Sequence, residues 1–233
     1  MNYQTIFQCL KGVGFIDLSA LVIPIRGSNY GLFPINCTTN NMRNEVIDAL
    51  TDGRNKNSNS FLSAFFATKE RTRNWLVKDV ALDNSRIIFI IKELSCNKIY
   101  GYAGLAFGDK FQKNIEVDAI VRIDNKRIPG VMRSAVLELV RWTLNDLNFN
   151  EVWVRVLSDN PAISFYENCG FINQRLSVLY ESNDESDNFI SLTLDPKGQE
   201  SLISTKKLVH MRYSNENKFS GDVNVGYRGD QNR

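Results

Sequence analysis

The chain has 233 residues, 43% of them hydrophobic, and its 28 basic and 26 acidic side chains leave a net charge of +2. That length is long for one minimal domain and short for two independent ones, and the apolar content supports a sizeable core. Near-balanced charge excludes the basic field that drives sequence-independent nucleic-acid binding, so no nucleic-acid partner is expected.

In chain order, the run from Phe15 to Ile25 is apolar but interrupted by Asp17, without a basic flank or a small-residue cleavage site, and too short to span a bilayer. Neither a membrane anchor nor a secretion signal is expected, and its Val, Ile, Leu and Phe content predicts one or two strands. Cys9, Cys37, Cys96 and Cys169 form no Cys-x-x-Cys pair and lack a histidine at zinc spacing, which predicts no metal and a reducing, cytoplasmic setting. Asn40 or Asn41 is placed to cap a helix through Val46, Ile47 and Leu50, with Gly53 ending it. After a polar break from Arg54 to Ser60, a second helix is predicted from Thr68 to Lys78, with Thr68 as N-cap. Arg86 to Glu93 is a β-branched run expected to pair through a turn at Asn97 with Ile99 to Phe107. Gly101 and Gly104 thin that second strand where a backbone or a ligand approaches.

Ile115 to Ile123 is the next β-rich run, followed by Arg127-Ile128-Pro129-Gly130-Val131-Met132. Val136, Val140, Leu144 and Leu147 then recur at three- and four-residue spacing, so a helix starts near Gly130 and ends by residues 148–150. Backbone N–H groups at 130 to 133, with the helix dipole behind them, suit a pyrophosphate, and a glycine lets that backbone approach the oxygens. Glu151 to Val156 reads as a strand. In the stretch from Asp159 to Phe171, Asn160 caps a helix, Pro161 takes its first position and Gly170 stops it. Phe171 to Glu181 and Asn188 to Leu194 read as the last two strands. The tail from Tyr213 to Arg233 alternates Val223, Val225 and Tyr227 and permits a loose terminus or a terminal strand.

Two of these segments resemble the GNAT superfamily of N-acetyltransferases. Arg127 to Met132 is similar to its acyl-CoA motif Arg/Gln-x-x-Gly-x-Gly/Ala, with Met132 departing at the last position. Asp159 to Phe171 is similar to its Asn-x-x-Ala-x-x-x-Tyr-x-x-x-Gly-Phe signature, matching at Ala162, Tyr166, Gly170 and Phe171, with Asp159 in the place of the Asn and Asn160 one residue later. Tyr30 to Cys37 looks like the family's first strand. The resemblance implies an α/β (α+β) fold with a mixed central sheet flanked by helices. It places the acyltransferase domain at 30–195, an N-terminal extension expected to be β at 1–29, and a C-terminal extension at 196–233. It further implies an acyl-CoA cosubstrate, with acetyl-CoA as the default and a longer group such as hydroxybutanoyl as the alternative, no metal, and direct attack without a covalent intermediate.

Residue by residue, the resemblance implies cofactor contacts at Val121, Arg122, Arg127, Ile128, Gly130, Val131, Met132, Arg133, Asn160, Ser164 and Tyr166. The oxyanion falls to the backbone N–H of Val121 or Arg122, and the thiolate proton to Tyr166. Glu116 and Asp118 alternate onto one strand face and are the candidate bases. Arg127 is expected on cofactor phosphates, and Arg122 on Asp118 or an acceptor phosphate. His210 and Cys169 are read as structural.

A narrower resemblance, over Arg54-Asn55, Ser60-Phe61, Phe65 to Leu76 and Arg86 to Ile91, is to GNAT enzymes that acylate amino sugars on nucleotide carriers, UDP or dTDP, for surface polysaccharides such as lipopolysaccharide O-antigen. It implies that Arg54 to Leu76 walls the acceptor, with Arg54, Phe66 and Asp118 as contacts. The expected partners are therefore small molecules, acyl-CoA and a nucleotide-linked amino sugar; the sequence leaves the oligomeric state open, a homodimer among its options. Acetylation of a protein or peptide amine and a silent CoA-binding module are the rival readings.

Overall fold

Asn2 starts the first helix, α1 (Tyr3–Leu10), by accepting a 2.8 Å hydrogen bond from the Thr5 N–H, and Tyr3, Phe7 and Leu10 form its buried side. The computed structural model describes residues 1–96, 98–123, 128–184, 189–195 and 202–214. In it follow β1 (Ile23–Pro24), β2 (Tyr30–Pro34), α2 (Asn44–Lys56), β3 (Ser63–Ala64), α3 (Lys69–Trp75), which continues as a π-helical turn over Leu76–Val80, β4 (Ile87–Glu93), β5 (Ile99–Asp109), β6 (Asn114–Arg122), α4 (Val131–Asn145), β7 (Glu151–Leu157), α5 (Ala162–Asn168), β8 (Phe171–Asp184), β9 (Phe189–Thr193) and β10 (Leu202–Tyr213).

The strands join one mixed sheet in the order β1-β2-β4-β5-β6-β7-β10-β8-β9-β3. Strand alternation divides the core into two layers. On one face α1, α4 and α5 cover Leu32, Phe89, Leu105, Val117 and Val154; on the other α2 and α3 cover Ile88, Ile90, Tyr102 and Val121. Gly104 serves the approach foreseen for it, because a Cβ there would stand 2.4 Å from the Ile87 carbonyl oxygen.

Two features place the site. β6 pairs with β7 in parallel only over Asn114–Glu116 against Glu151–Trp153, so the two strands splay from Val117 onward. Within β6 the register with β5 skips between Asp118 and Val121, and Ala119 takes a φ of 51°. This bulge changes the parity of the strand. Glu116 and Asp118 face the α2 side, whereas beyond the bulge Val121 takes that side and Ile120 packs with the α4 layer.

Several expectations are corrected. The N-terminal extension is not mainly β: α1 carries its buried contacts, only Ile23–Pro24 is strand, and Phe15 is 72% exposed. The signal for α1 was the Tyr3, Phe7, Leu10 spacing, which the apolar run at 15–25 overshadowed. α2 starts at Asn44 with Arg43 at its N-cap, and it passes through Gly53 to Lys56. Gly53 instead lets the helix lie against the sheet, since a Cβ there would meet the Tyr102 ring at 2.9 Å. The segment assigned to a C-terminal extension contributes β10, which sits between β7 and β8 in the middle of the sheet, so 30–195 is not the whole domain. Residues 215–233, with their alternating Val223, Val225 and Tyr227, lie outside the described residues.

Candidate active site

The α4 side carries the groups suited to a pyrophosphate. Gly130 caps α4 with a φ of 86°, a conformation costly for any other L-residue, and its Ser134-bonded carbonyl (2.8 Å) begins the helical ladder. Among the described residues nothing lies within 4 Å of where its Cβ would be, so the turn is open at Gly130 itself. That fits a phosphate-bearing cosubstrate at a helix N-terminus. Met132 does not crowd this turn: its sulfur points inward to Gly101, 3.0 Å from an ideal Cβ there. Gly101 thus accommodates the methionine that departs from the family pattern.

Other residues on this side are already committed. The Tyr100 hydroxyl donates to the Ile128 carbonyl at 3.0 Å and accepts from its N–H at 3.2 Å, so Ile128 has no free donor for phosphate, contrary to expectation. The Arg133 Nε donates to the Asn168 carbonyl at 2.8 Å, tying α4 to the end of α5. α5 starts at Ala162 with Pro161, not Asn160, at its N-cap; the Asn160 Oδ1 instead accepts from the Ala162 N–H at 2.9 Å in the turn just before it, and Ser164 donates to the Pro161 carbonyl. Arg127 lies outside the described residues.

On the opposite face lies a cavity of about 640 Å³. Its floor is Glu116, Asp118, Ala119 and Tyr102 from the sheet, and its wall is the stretch from Arg54 to Trp75 together with Leu157 and Leu208. Local capping builds that wall, with Thr68 accepting from the Arg71 N–H at 3.1 Å to start α3. β3 then pairs with β9, and Leu192 donates to the Leu62 carbonyl at 2.7 Å, so the far edge of the sheet folds back to close the pocket. Arg54 lies between the rings of Phe61 (3.9 Å) and Phe65 (4.4 Å) and donates to the Ser63 carbonyl at 2.6 Å, holding the loop in place. Phe66 is 78% exposed and does not line the cavity, which corrects its assignment as an acceptor contact. The bulge at Ala119 is the physical reason for a second correction: it puts Arg122 on the side of Ile120 and α4, and Asp118 instead faces Arg86 at 4.0 Å.

Glu116 pairs with the Nε of Arg155 at 2.6 Å, and burial holds its pKa above the usual carboxylate range despite that partner. Asp118 is the more open of the two carboxylates. Tyr166, 8% exposed, packs against Phe165 and Phe171, and its phenol is raised by burial and then by the Asp118 charge. Cys169 is buried and its thiol pushed up to about 12 by desolvation, which removes it as a nucleophile. His210 is buried within β10, bonded to the Ser177 hydroxyl at 2.9 Å, and its pKa is lowered by burial and by Arg175 and Arg155.

Sequence reasoning missed Lys11, Arg86, Arg155 and Phe107. The Lys11 ammonium is buried and donates to the carbonyls of Val80 (2.8 Å), Ala81 (3.3 Å) and Asp83 (2.8 Å), fastening α1 to the end of the π-helical turn that follows α3. Nothing local marks these four, because each gains its meaning from partners far away in the chain. No group of three or more His, Cys, Asp or Glu able to hold a metal occurs among the described residues, and no helix there is long and apolar enough to cross a membrane.

No curated protein matches the sequence. The model of the Acetyltransferase (GNAT) family matches residues 54–171, a little over half of the chain. Among solved structures, a probable acetyltransferase of the GNAT family from Chromobacterium violaceum aligns over 85% of this chain and 87% of its own with a TM-score of 0.62 at 14% identity. A GCN5-related N-acetyltransferase from Brucella melitensis aligns over 84% and 80% with a TM-score of 0.62 at 13% identity. Spermidine N-acetyltransferase from Vibrio cholerae, in complex with CoA and spermine, aligns over 80% and 95% with a TM-score of 0.57 at 15% identity. At such identities the structures share the fold, and the family match identifies the rest: the chain belongs to the GNAT acetyltransferase family and is an acyl-CoA-dependent N-acyltransferase.

Proposed function

We propose that the enzyme acylates the amine of a nucleotide-linked amino sugar, carried by dTDP or UDP, with the cavity on the α2 side as its acceptor site. The observation that carries this reading is the charge of the lining, where Arg54, Arg71, Lys78, Arg86 and Arg155 outnumber Asp79, Glu116 and Asp118. A polyamine, itself a string of cations, suits an acidic lining; a basic surplus suits an amine tethered to an anionic group such as a diphosphate. Phe61, Phe65 and Trp75 beside those cations add flat apolar surface for a base or a sugar.

In this reading the neutral amine attacks the thioester carbonyl, the carbon–sulfur bond breaks, and the thiolate leaves with a proton. Of the two N–H groups expected to face the oxyanion, Arg122 is the better placed. Ile123 donates to the Tyr100 carbonyl at 2.9 Å, and ladder alternation turns Val121 the same way, toward β5, which leaves Arg122 directed into the splay between β6 and β7. Asp118 takes the amine proton, directly or through water. Tyr166 gives a proton to the thiolate. The two steps are coupled, because the Asp118 charge helps hold the Tyr166 proton, and protonating Asp118 removes that charge and makes the phenol a better acid.

The test is thiol release from acetyl-CoA with a panel of dTDP- and UDP-linked amino sugars, spermidine and a peptide with a free N-terminus, with product masses confirmed. Turnover with an amino-sugar nucleotide and little with the others is expected. Efficient acylation of spermidine or the peptide, with none of the sugars, overturns the reading.

A further inference from the structure

Phe107 lines the acceptor cavity yet is 48% exposed, and its backbone φ of 56° is left-handed, an unfavourable state for a bulky L-residue. Burial does not offset that backbone, because half of the ring remains in the open. The conformation occurs where β5 and β6 lose register between Ala106 and Asp109, and it is braced from another element. Tyr3 of α1 donates its hydroxyl to the Gly108 carbonyl, and its ring takes the space 2.9 Å from where a Gly108 Cβ would be. Thus held, the Phe107 ring sits 4.5 Å from the Arg155 guanidinium and 5.4 Å from that of Arg86. Those are the partners of the two carboxylates, Glu116 and Asp118. Strain that the surroundings over-determine, beside candidate bases, is a device for aiming a side chain.

Given that the cavity receives the acceptor as proposed above, we propose that Phe107 is an acceptor-binding platform on which the C–H face of the amine-bearing sugar ring packs, with Tyr3 as the residue that positions it. A pyranose presents such an apolar face while its hydroxyls and amine point outward to polar partners. The neighbouring arginines hold the aromatic ring and reach the polar groups at the sugar's edge.

The experiment compares Phe107→Ala, Phe107→Gly, Phe107→Tyr and Tyr3→Phe with wild type in steady-state kinetics and thermal melts. A dTDP-linked amino sugar and spermidine serve as acceptors. Phe107→Ala and Phe107→Gly should each raise the acceptor KM about tenfold with the acetyl-CoA KM unchanged, and Phe107→Tyr should retain wild-type values. Tyr3→Phe should raise the acceptor KM by a smaller factor, about threefold. The melting order tests the strain without any acceptor: Gly should melt about 2–4 °C above Ala, the reverse of the usual ranking. Equal acceptor KM values for wild type and Phe107→Ala, on whichever amine the wild type uses, overturn the platform; Gly melting at or below Ala overturns the aiming. Should the wild type use spermidine and not the sugar, the substrate reading fails by itself, and the same KM comparison on spermidine still decides whether Phe107 touches the acceptor.

Discussion

On the α4 side, the groups that fit a pyrophosphate come from one short stretch, Gly130 to Arg133, whereas the cavity on the α2 side draws on α2, β3, α3, β5, β6, β7 and β10. One face works mainly with backbone N–H groups at helix starts, which a glycine, a cap and a hydrophobic period specify locally. The other works with side chains from distant segments. It follows that changes on the first face should alter acyl-CoA kinetics or the chemical step, and changes on the second should alter acceptor kinetics and the stability of the wall.

The largest expected effect tests where the two faces meet. Tyr166→Phe should lower kcat by about 10² to 10⁴ with both KM values near normal, measured by thiol release with product mass confirmed. A near-normal kcat with chemistry shown to be limiting would return Tyr166 to its packing with Phe165 and Phe171.

Gly130→Val should raise the acyl-CoA KM about tenfold, since left-handed strain of more than about 1 kcal/mol must distort the turn. The acceptor KM should stay put. Gly130→Asn should be milder, because asparagine tolerates φ > 0 and the space around the absent Cβ is open. An equal rise in both KM values for Gly130→Val would erase the division between the faces.

Lys11→Met sharpens the comparison from the wall side. It strips a donor from three carbonyls and should destabilise the fold by about 2–4 kcal/mol in urea melts near neutral pH. Burial lowers the Lys11 pKa from 10.5 to about 8, so between those values the unfolded chain holds a proton that the folded one has released. The contribution of this site to stability therefore rises as pH climbs from 8 to 10.5, by up to about 3 kcal/mol, and the gap between wild type and Lys11→Met should widen over that window. A constant gap would mean that folded Lys11 stays ionised across the window, as it is in the unfolded chain.

The smallest expected effect is none. Phe66→Ala should leave the acceptor KM unchanged and stability within about 0.5 kcal/mol, as its ring is in solvent beside the wall. A clear rise in the acceptor KM would move the acceptor out of the cavity and onto the outer surface of the segment between β3 and α3.

By itself the sequence determined the strand–turn–helix units from Ile115 to Phe171, the glycine at the start of α4, the Thr68 cap and the shared face of Glu116 and Asp118, because periods of 2 and 3.6 and capping chemistry act within a few residues. The tertiary structure decided what depends on partners far along the chain. It placed β10 in the middle of the sheet, turned Arg122 over at the Ala119 bulge, made Gly53 and Gly101 contact points for Tyr102 and Met132, and buried Lys11 against the turn after α3. A strand's neighbours, a one-residue register shift and a close approach are set by packing between elements, and no local pattern in the residues encodes them.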